Sequence, residues 1–341
     1  MKQIVLMKAN LGHFINGLCK EFRVIGPKRK KSEHIFSDIS DAQDLDLNYL
    51  TTILPPKKLF TPTRETLLEF DRWGAPNPVP IEEQKLLLFG VHSCDLSGLL
   101  LLDRVYSEGF PYPRYLERRQ NSTIVAMACT DPGDTYFCYS MGTGPEPRVG
   151  YDLVLTDLGD RFLVETGTIE GERLLKMMKR TEASRSDLEL KEKLISEAKQ
   201  KFKRKVNTEG LVETVAKSLD HPIWKQLAET CLACAQCVMS CPTCFCFDIR
   251  DQWGSTPGKT IRCVEWDACI LLEFSEVALG GSFRKDRGAR LRQFVGHNLS
   301  WGGASQYETF NGQHKCVGCG RCIRICPVGI DITEIAKQLR G

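Results

Sequence analysis

An N-terminal α/β domain followed by a mainly α-helical C-terminal domain is the fold class predicted by this sequence of 341 residues. Three observations lead there. Strand-like apolar runs alternate with helix-like segments over the first 165 residues. A charged stretch without proline then favours helix. Two cysteine runs of identical spacing, at 231–242 and 316–327, lie among segments of helical periodicity.

Arg23-Val24-Ile25-Gly26-Pro27 reads as a short strand ended by a breaker pair. Residues 85–91 form a continuous apolar run, as a strand buried on both faces does. Residues 96–106 follow with helical spacing, and 122–128 give a second buried strand. Residues 149–155 and 161–164 read as a hairpin closing the sheet. The α/β domain is thus expected over 1–165. Residues 166–220 are expected to be a charged helical connector, because charge runs are usually solvated faces. The lysine and arginine excess at 199–205 also fits docking to an acidic partner. His221-Pro222 opens the last domain, 221–341. Residues 223–229 are helical and lead into the first cysteine run. Residues 242–315 separate the runs, and a segment that long carries its own structure. Helical spacing appears at 269–279, at 288–299 (with Arg290, Arg292 and His297) and at 332–340.

The first run is Cys231-x-x-Cys234-x-x-Cys237-x-x-x-Cys241-Pro242. The second is Cys316-x-x-Cys319-x-x-Cys322-x-x-x-Cys326-Pro327. This is the spacing by which bacterial ferredoxins hold iron–sulfur cubanes. Three thiolates on one tight loop cap three corners of a cubane. The fourth cysteine starts a new turn, fixed by a proline that lacks an N–H, and ligates the other cluster. Two [4Fe–4S] clusters with crossed ligation are expected. One uses Cys231, Cys234, Cys237 and Cys326; the other uses Cys316, Cys319, Cys322 and Cys241. The C-terminal domain is then a helical two-cluster ferredoxin-like domain with an insertion.

Zinc takes separated CxxC pairs and has no use for the third and fourth cysteines of each run. Disulfides need an oxidising compartment, whereas the N-terminus lacks a long apolar h-region and a small-residue cleavage site. No apolar run approaches bilayer length. The chain reads as cytoplasmic, with no membrane span. Cys237-x-x-x-Cys241-x-x-Cys244 matches the radical-SAM spacing, but Thr243 stands where an aromatic residue is usual, and the other cysteines have no place in that reading. A net charge of +3 and the lack of a basic-aromatic module argue against a nucleic-acid partner. Gly142-Thr143-Gly144-Pro145 lacks the following Lys-Ser/Thr of a phosphate loop and reads as a turn.

Sixteen cysteines leave eight outside the runs. Cys19 and Cys263 read as small buried packing residues. Cys94, Cys129, Cys138, Cys244, Cys246 and Cys269 fit either packing or a third iron–sulfur cluster drawing four ligands from among them. Cys94 and Cys129 follow buried strands, where α/β sheets build sites.

Nearly end to end, the chain resembles a family of 4Fe-4S dicluster electron-transfer subunits. That family includes the β subunit of cytosolic sulfhydrogenases and the iron–sulfur subunit of anaerobic sulfite reductase. The likeness rests on Gly90-Val91-His92-Ser93-Cys94-Asp95, on Cys129-Thr130-Asp131-Pro132-Gly133-Asp134-Thr135 leading into Ser140-Met141-Gly142-Thr143-Gly144-Pro145, and on Cys241-Pro242-Thr243-Cys244-Phe245-Cys246. Trp266-Asp267-Ala268-Cys269 and the second cysteine run with Gly318, Gly320 and Arg321 extend it. His92-Ser93 departs from the Arg-Pro often found there. Tyr136 replaces a frequent cysteine, so an N-terminal cluster would need a fourth ligand from elsewhere. The resemblance implies an electron-transfer subunit between a flavoprotein subunit, which handles a pyridine nucleotide or other donor, and a catalytic oxidoreductase subunit in a hetero-oligomer. The expected function is relay of single electrons in an anaerobic oxidoreductase complex, without organic substrate. The alternative is a catalytic reductase whose N-terminal domain binds flavin or substrate and is fed by the two clusters.

Overall fold

The computed structural model describes residues 2–71, 73–82, 84–253, 260–300 and 314–341. The chain forms two compact units that interleave along the sequence. Unit 1 comprises Met1–Pro56, Gln84–Glu209 and Cys316–Arg321; unit 2 comprises Lys57–Glu83, Gly210–Lys315 and Cys322–Gly341.

Unit 1 is built on an eight-stranded mixed sheet. Its strands are β1 (Gln3–Met7), β2 (Arg23–Lys30), β3 (Glu33–Asp38), β6 (Leu86–His92), β7 (Ser122–Met127), β8 (Leu153–Asp157), β9 (Arg161–Thr166) and β10 (Thr181–Glu182), with β4 and β5 belonging to unit 2. The spatial order is β10-β1-β9-β8-β7-β6-β2-β3. The centre, β2-β6-β7-β8, is parallel, and the flanks are antiparallel. Every residue of β6 is buried, as its unbroken apolar run requires. The β8–β9 hairpin expected to close the sheet instead lies inside it, because the N-terminal β1 pairs with β9. Helices α1 (Leu11–Leu18) and α4 (Ile169–Leu175) supply Phe14, Ile15, Leu18, Leu174 and Leu175 to a core with Leu87, Phe89, Val125 and Leu153. Helix α2 (Ser93–Ser107) starts directly at the end of β6, and α3 (Pro113–Gln120) packs on it.

Helix α5 (Arg185–Lys201) opens with a Ser184–Asp187 capping box and docks on β9. Asp187 also accepts from Arg161, and Lys191 binds Glu165. The basic stretch after it meets acidic groups of its own unit: Lys201 reaches Asp131 at 3.2 Å, and Lys203 reaches Asp134 at 2.8 Å.

Unit 2 combines helices with an antiparallel sheet. Helices α6 (Leu211–Lys217) and α7 (Ile223–Thr230) pack on α9 (Arg287–Leu299). A helical turn α8 (Gln236–Met239) and a closing helix α10 (Ile332–Gln338) complete the helical part. The helices expected at 223–229, 288–299 and 332–340 are present. The helical reading did not foresee the sheet β11-β12-β4-β5. Its strands are β4 (Arg64–Phe70), β5 (Pro76–Pro78), β11 (Phe247–Trp253) and β12 (Thr260–Trp266). Both strands of the insertion have the β-branched and aromatic content that favours strands. The helix expected at 269–279 is absent. A 3₁₀ turn, Glu273–Ser275, leads instead into a two-stranded hairpin of β13 (Glu276–Val277) and β14 (Gly281–Ser282). Leu279 and Gly280, both at positive φ, turn the chain there.

Candidate iron–sulfur centres

The two cysteine runs fold into the same loop. In the first, Ala233 and Ala235 adopt φ of 51° and 64° on either side of Cys234. In the second, Gly318 and Gly320 adopt 63° and 69° on either side of Cys319. The Ala233 N–H donates to Cys231 Sγ at 3.4 Å, and the Gly318 N–H donates to Cys316 Sγ at the same distance. One helical turn follows each loop, Gln236–Met239 and Arg321–Arg324. Left-handed residues turn backbone amides toward the sulfurs, and N–H···S bonds are a lever on cluster potential.

In unit 2, Cys231, Cys234, Cys237 and Cys326 line one cavity, together with Cys322 and the side chains of Ile270, Leu291, Phe294, Val295 and Ile335. The first three cysteines thus meet Cys326 from the far end of the other run. Cys326 Sγ accepts from the Ile330 N–H at 3.3 Å. Burial pushes the Cys237 thiol up, and Cys231, Cys234 and Cys326 add to the shift. Four cysteines that raise one another's proton affinity in an apolar cavity fit a cationic iron core, which neutralises the thiolates it binds. Among the described residues, no three Cys, His, Asp or Glu side chains are gathered about a single ion-sized point.

The loop of the second run is fastened within unit 1. The Phe137 N–H donates to Gly318 O at 2.9 Å, and Thr143 Oγ1 donates to Val317 O at 2.7 Å. Arg321 is buried and donates to both carboxylate oxygens of Asp95, at 2.5 and 2.7 Å. It also donates to Thr52 O at 2.9 Å. Asp95 sits in the first turn of α2, so the strand–helix junction Ser93-Cys94-Asp95 anchors the loop. Ser93 Oγ in turn donates to Thr143 O at 2.7 Å. His92, at the end of β6, stacks on Tyr49 with ring centroids 4.3 Å apart. Its pKa falls to about 4, chiefly through burial.

The six remaining candidate cysteines divide between the units. In unit 1, Cys94, Cys129 and Cys138 are buried in one cluster with Cys319, Val317 and Tyr136. Cys94 and Cys138 share a thiol hydrogen bond, which with burial raises the Cys94 pKa. Burial, with Cys94 nearby, pushes Cys129 up to about 12. Tyr136 donates to Leu50 O.

In unit 2, Cys244, Cys246 and Cys269 form a second group, which Cys241 joins. Cys241 pairs with Cys244, and Cys246 pairs with Cys269. Cys241 is lowered by the Cys244 hydrogen bond and then by Lys315 and Lys57; Cys246 is lowered to about 6, first by Cys269. Lys315 Nζ lies 3.3 Å from Cys244 Sγ, and Lys57 Nζ donates to Cys244 O. Cys19 and Cys263 stand apart: Cys19 donates to Ile39 O, and Cys263 sits on β12 beside Thr66.

Sequence reasoning did not single out Lys57, Lys315, Thr52 or Asn298, which lies 3.8 Å from Cys241 Sγ. Lys315 carried one signal, its place next to Cys316. Lys57, in the 3₁₀ turn Pro56–Leu59, carried none.

Residues 230–330 match the family model of a 4Fe-4S dicluster domain. The whole chain is similar to sulfhydrogenase 2 subunit beta of Pyrococcus furiosus, with 32% identity over 100% of this chain and 99% of that protein. No solved structure matches the chain. Among the described residues, no helix is long and apolar enough to cross a membrane.

Proposed function

The chain belongs to the sulfhydrogenase β-subunit family, and we propose from that premise that it relays single electrons between the flavoprotein and catalytic subunits of a heteromeric oxidoreductase complex. It is an iron–sulfur electron-transfer subunit. The observation that carries the finer reading is the shared loop, with paired left-handed residues and one N–H···S bond at equivalent positions of both runs. It supports two [4Fe–4S] clusters. Cys231, Cys234, Cys237 and Cys326 hold the first. By the spacing rule of the motif, Cys316, Cys319, Cys322 and Cys241 hold the second.

Bound there, the clusters supply one-electron redox chemistry. The chain's own residues fix the sulfurs and shape their surroundings. The amides of Ala233, Gly318 and Ile330 donate to cluster sulfurs, which stabilises negative charge on them. Ile270, Phe294 and Ile335 exclude water from the first site. The Asp95–Arg321 pair holds the second loop in place.

The test is anaerobic purification of the native complex, identification of its chains, and spectroscopy of the isolated β-type chain. The expected result is about eight irons per chain, from four per cubane, two reversibly reducible clusters, and partner chains that include a flavoprotein. Stoichiometric flavin in the isolated chain would refute the relay in favour of a reductase.

A further inference from the structure

Two lysines are buried deep in unit 2, Lys57 at 4% exposure and Lys315 at 1%. A buried ammonium is costly unless negative charge or dipoles face it. Among the described residues, no carboxylate faces either one. Lys57 Nζ donates to Cys244 O and lies 4.3 Å from the centre of the Trp266 ring. Lys315 Nζ lies 3.3 Å from Cys244 Sγ and 5.3 Å from the centre of the Phe245 ring. The negative charge acting on both comes from sulfur, that of Cys244, Cys241 and Cys246. The two cations therefore converge on the residues that follow the first cysteine run, Cys241 among them.

We propose that Lys57 and Lys315 set the reduction potential of the cluster ligated by Cys241. This rests on the crossed ligation proposed above. Reduction by one electron adds one negative charge to the cluster. A fixed buried cation beside a ligand sulfur stabilises the reduced form more than the oxidised form, and the potential rises.

The first cluster site is built differently. Its cavity lining contains apolar side chains and no lysine or arginine. The cation beside it, Arg287, binds Cys231 O at 2.8 Å but is exposed, so solvent screens its charge. The cluster on Cys241 is then the higher-potential member of the pair. An electron that leaves the reduced first cluster and enters the oxidised second one runs downhill. The two lysines give the relay its direction.

The experiment is a redox titration of the anaerobically purified full chain, followed by electron paramagnetic resonance. It compares the wild type with Lys57→Met, Lys315→Met and the charge-keeping Lys57→Arg and Lys315→Arg. Each methionine variant is expected to retain its iron and to lower one midpoint only. At the wild-type midpoint, the ratio of reduced to oxidised cluster should fall at least tenfold, which is 59 mV for a one-electron couple. The affected cluster should be the one lost in Cys322→Ser, and the arginine variants should keep the wild-type midpoint. Should a methionine variant not retain iron, Lys→Gln keeps a polar head without charge and is read the same way. Unchanged midpoints in iron-replete variants overturn the proposal. So do equal shifts of both clusters, or a shift confined to the cluster on Cys231, Cys234 and Cys237. Wild-type clusters that are not reversibly reduced would refute the relay reading itself, before any lysine variant is examined.

Discussion

Truncating Asp95 should cost more than removing the whole ion pair to which it belongs. The side chains of Arg321 and Asp95 are only 3% and 1% exposed. The guanidinium spends two donors on the carboxylate, at 2.5 and 2.7 Å, and two on Thr52, at 2.9 Å to its carbonyl and 3.1 Å to its hydroxyl. In Asp95→Ala the cation stays buried with Thr52 alone. Breaking a buried pair this way costs about 3–5 kcal/mol, whereas apolar residues of similar volume at both positions come close to neutral. Asp95→Ala and Arg321→Met should therefore each lose about 3–5 kcal/mol, a large share of a typical total of about 5–15 kcal/mol. The double variant Asp95→Leu/Arg321→Met should lose less than either single change, with a coupling energy of about 2 kcal/mol or more. Urea denaturation of anaerobically purified protein measures this, alongside iron content. Arg321 lies between Cys319 and Cys322, so the single variants should also lose the iron of the second run. Additivity of the two single changes within about 0.5 kcal/mol would refute the reasoning.

Three further outcomes are expected. Gly318→Ala places a Cβ 2.6 Å from the Cys138 backbone at φ 63° and should destabilise by about 2–5 kcal/mol in the same denaturation assay, from left-handed strain plus overpacking; Ala233→Gly, at the equivalent turn, should stay within about 1 kcal/mol of wild type. Cys326→Ala should abolish the spectrum of the cluster on Cys231, Cys234 and Cys237, and loss of the other cluster alone would exclude crossed ligation. His92 is buried with its pKa lowered to about 4, so the unfolded chain takes up a proton below pH 6.5 that the folded chain refuses. Stability should thus fall by about 2 kcal/mol between pH 6.5 and pH 5, at 1.36 kcal/mol per pH unit, and His92→Gln should flatten that slope in denaturation curves taken across the window.

Periodicity exposed the elements that bury apolar faces. The unbroken runs at 86–91 and 122–127 became the central strands β6 and β7, and the helical spacing at 288–299 became α9. The cysteine spacing marked both cluster loops, and the cavity brings Cys326 to Cys231, Cys234 and Cys237. Long-range exchange was not legible. Nothing local says that 64–70 pairs with 260–266 to build a sheet beside the helices of unit 2. Nor does composition distinguish a charge run that faces water from one that docks at home: Lys201 and Lys203 looked free for a partner until Asp131 and Asp134 were found opposite them. Lys57 and Lys315 were invisible for the same reason, since a lysine's burial depends on what the fold brings over it.

The duplicated loop makes the difference between its two copies meaningful. The backbone is the same at 233 and 318 and at 235 and 320, yet one copy carries alanines and the other glycines. Local strain alone would favour glycine at all four positions. Packing separates the copies. A Cβ at Gly318 or Gly320 would meet backbone atoms of Cys138 or Thr135 within 2.6 Å, because residues 135–138 press against the second loop. Ala233 belongs to the first loop, which opens on a cavity of unit 2. The second loop is thus clamped by backbone contacts and a buried ion pair, while the first is seated among apolar side chains. Two cubanes held by the same ligands are chemically equal until their surroundings differ. In this chain the differences accumulate around the second run, and unequal surroundings are what an electron relay needs in order to run one way.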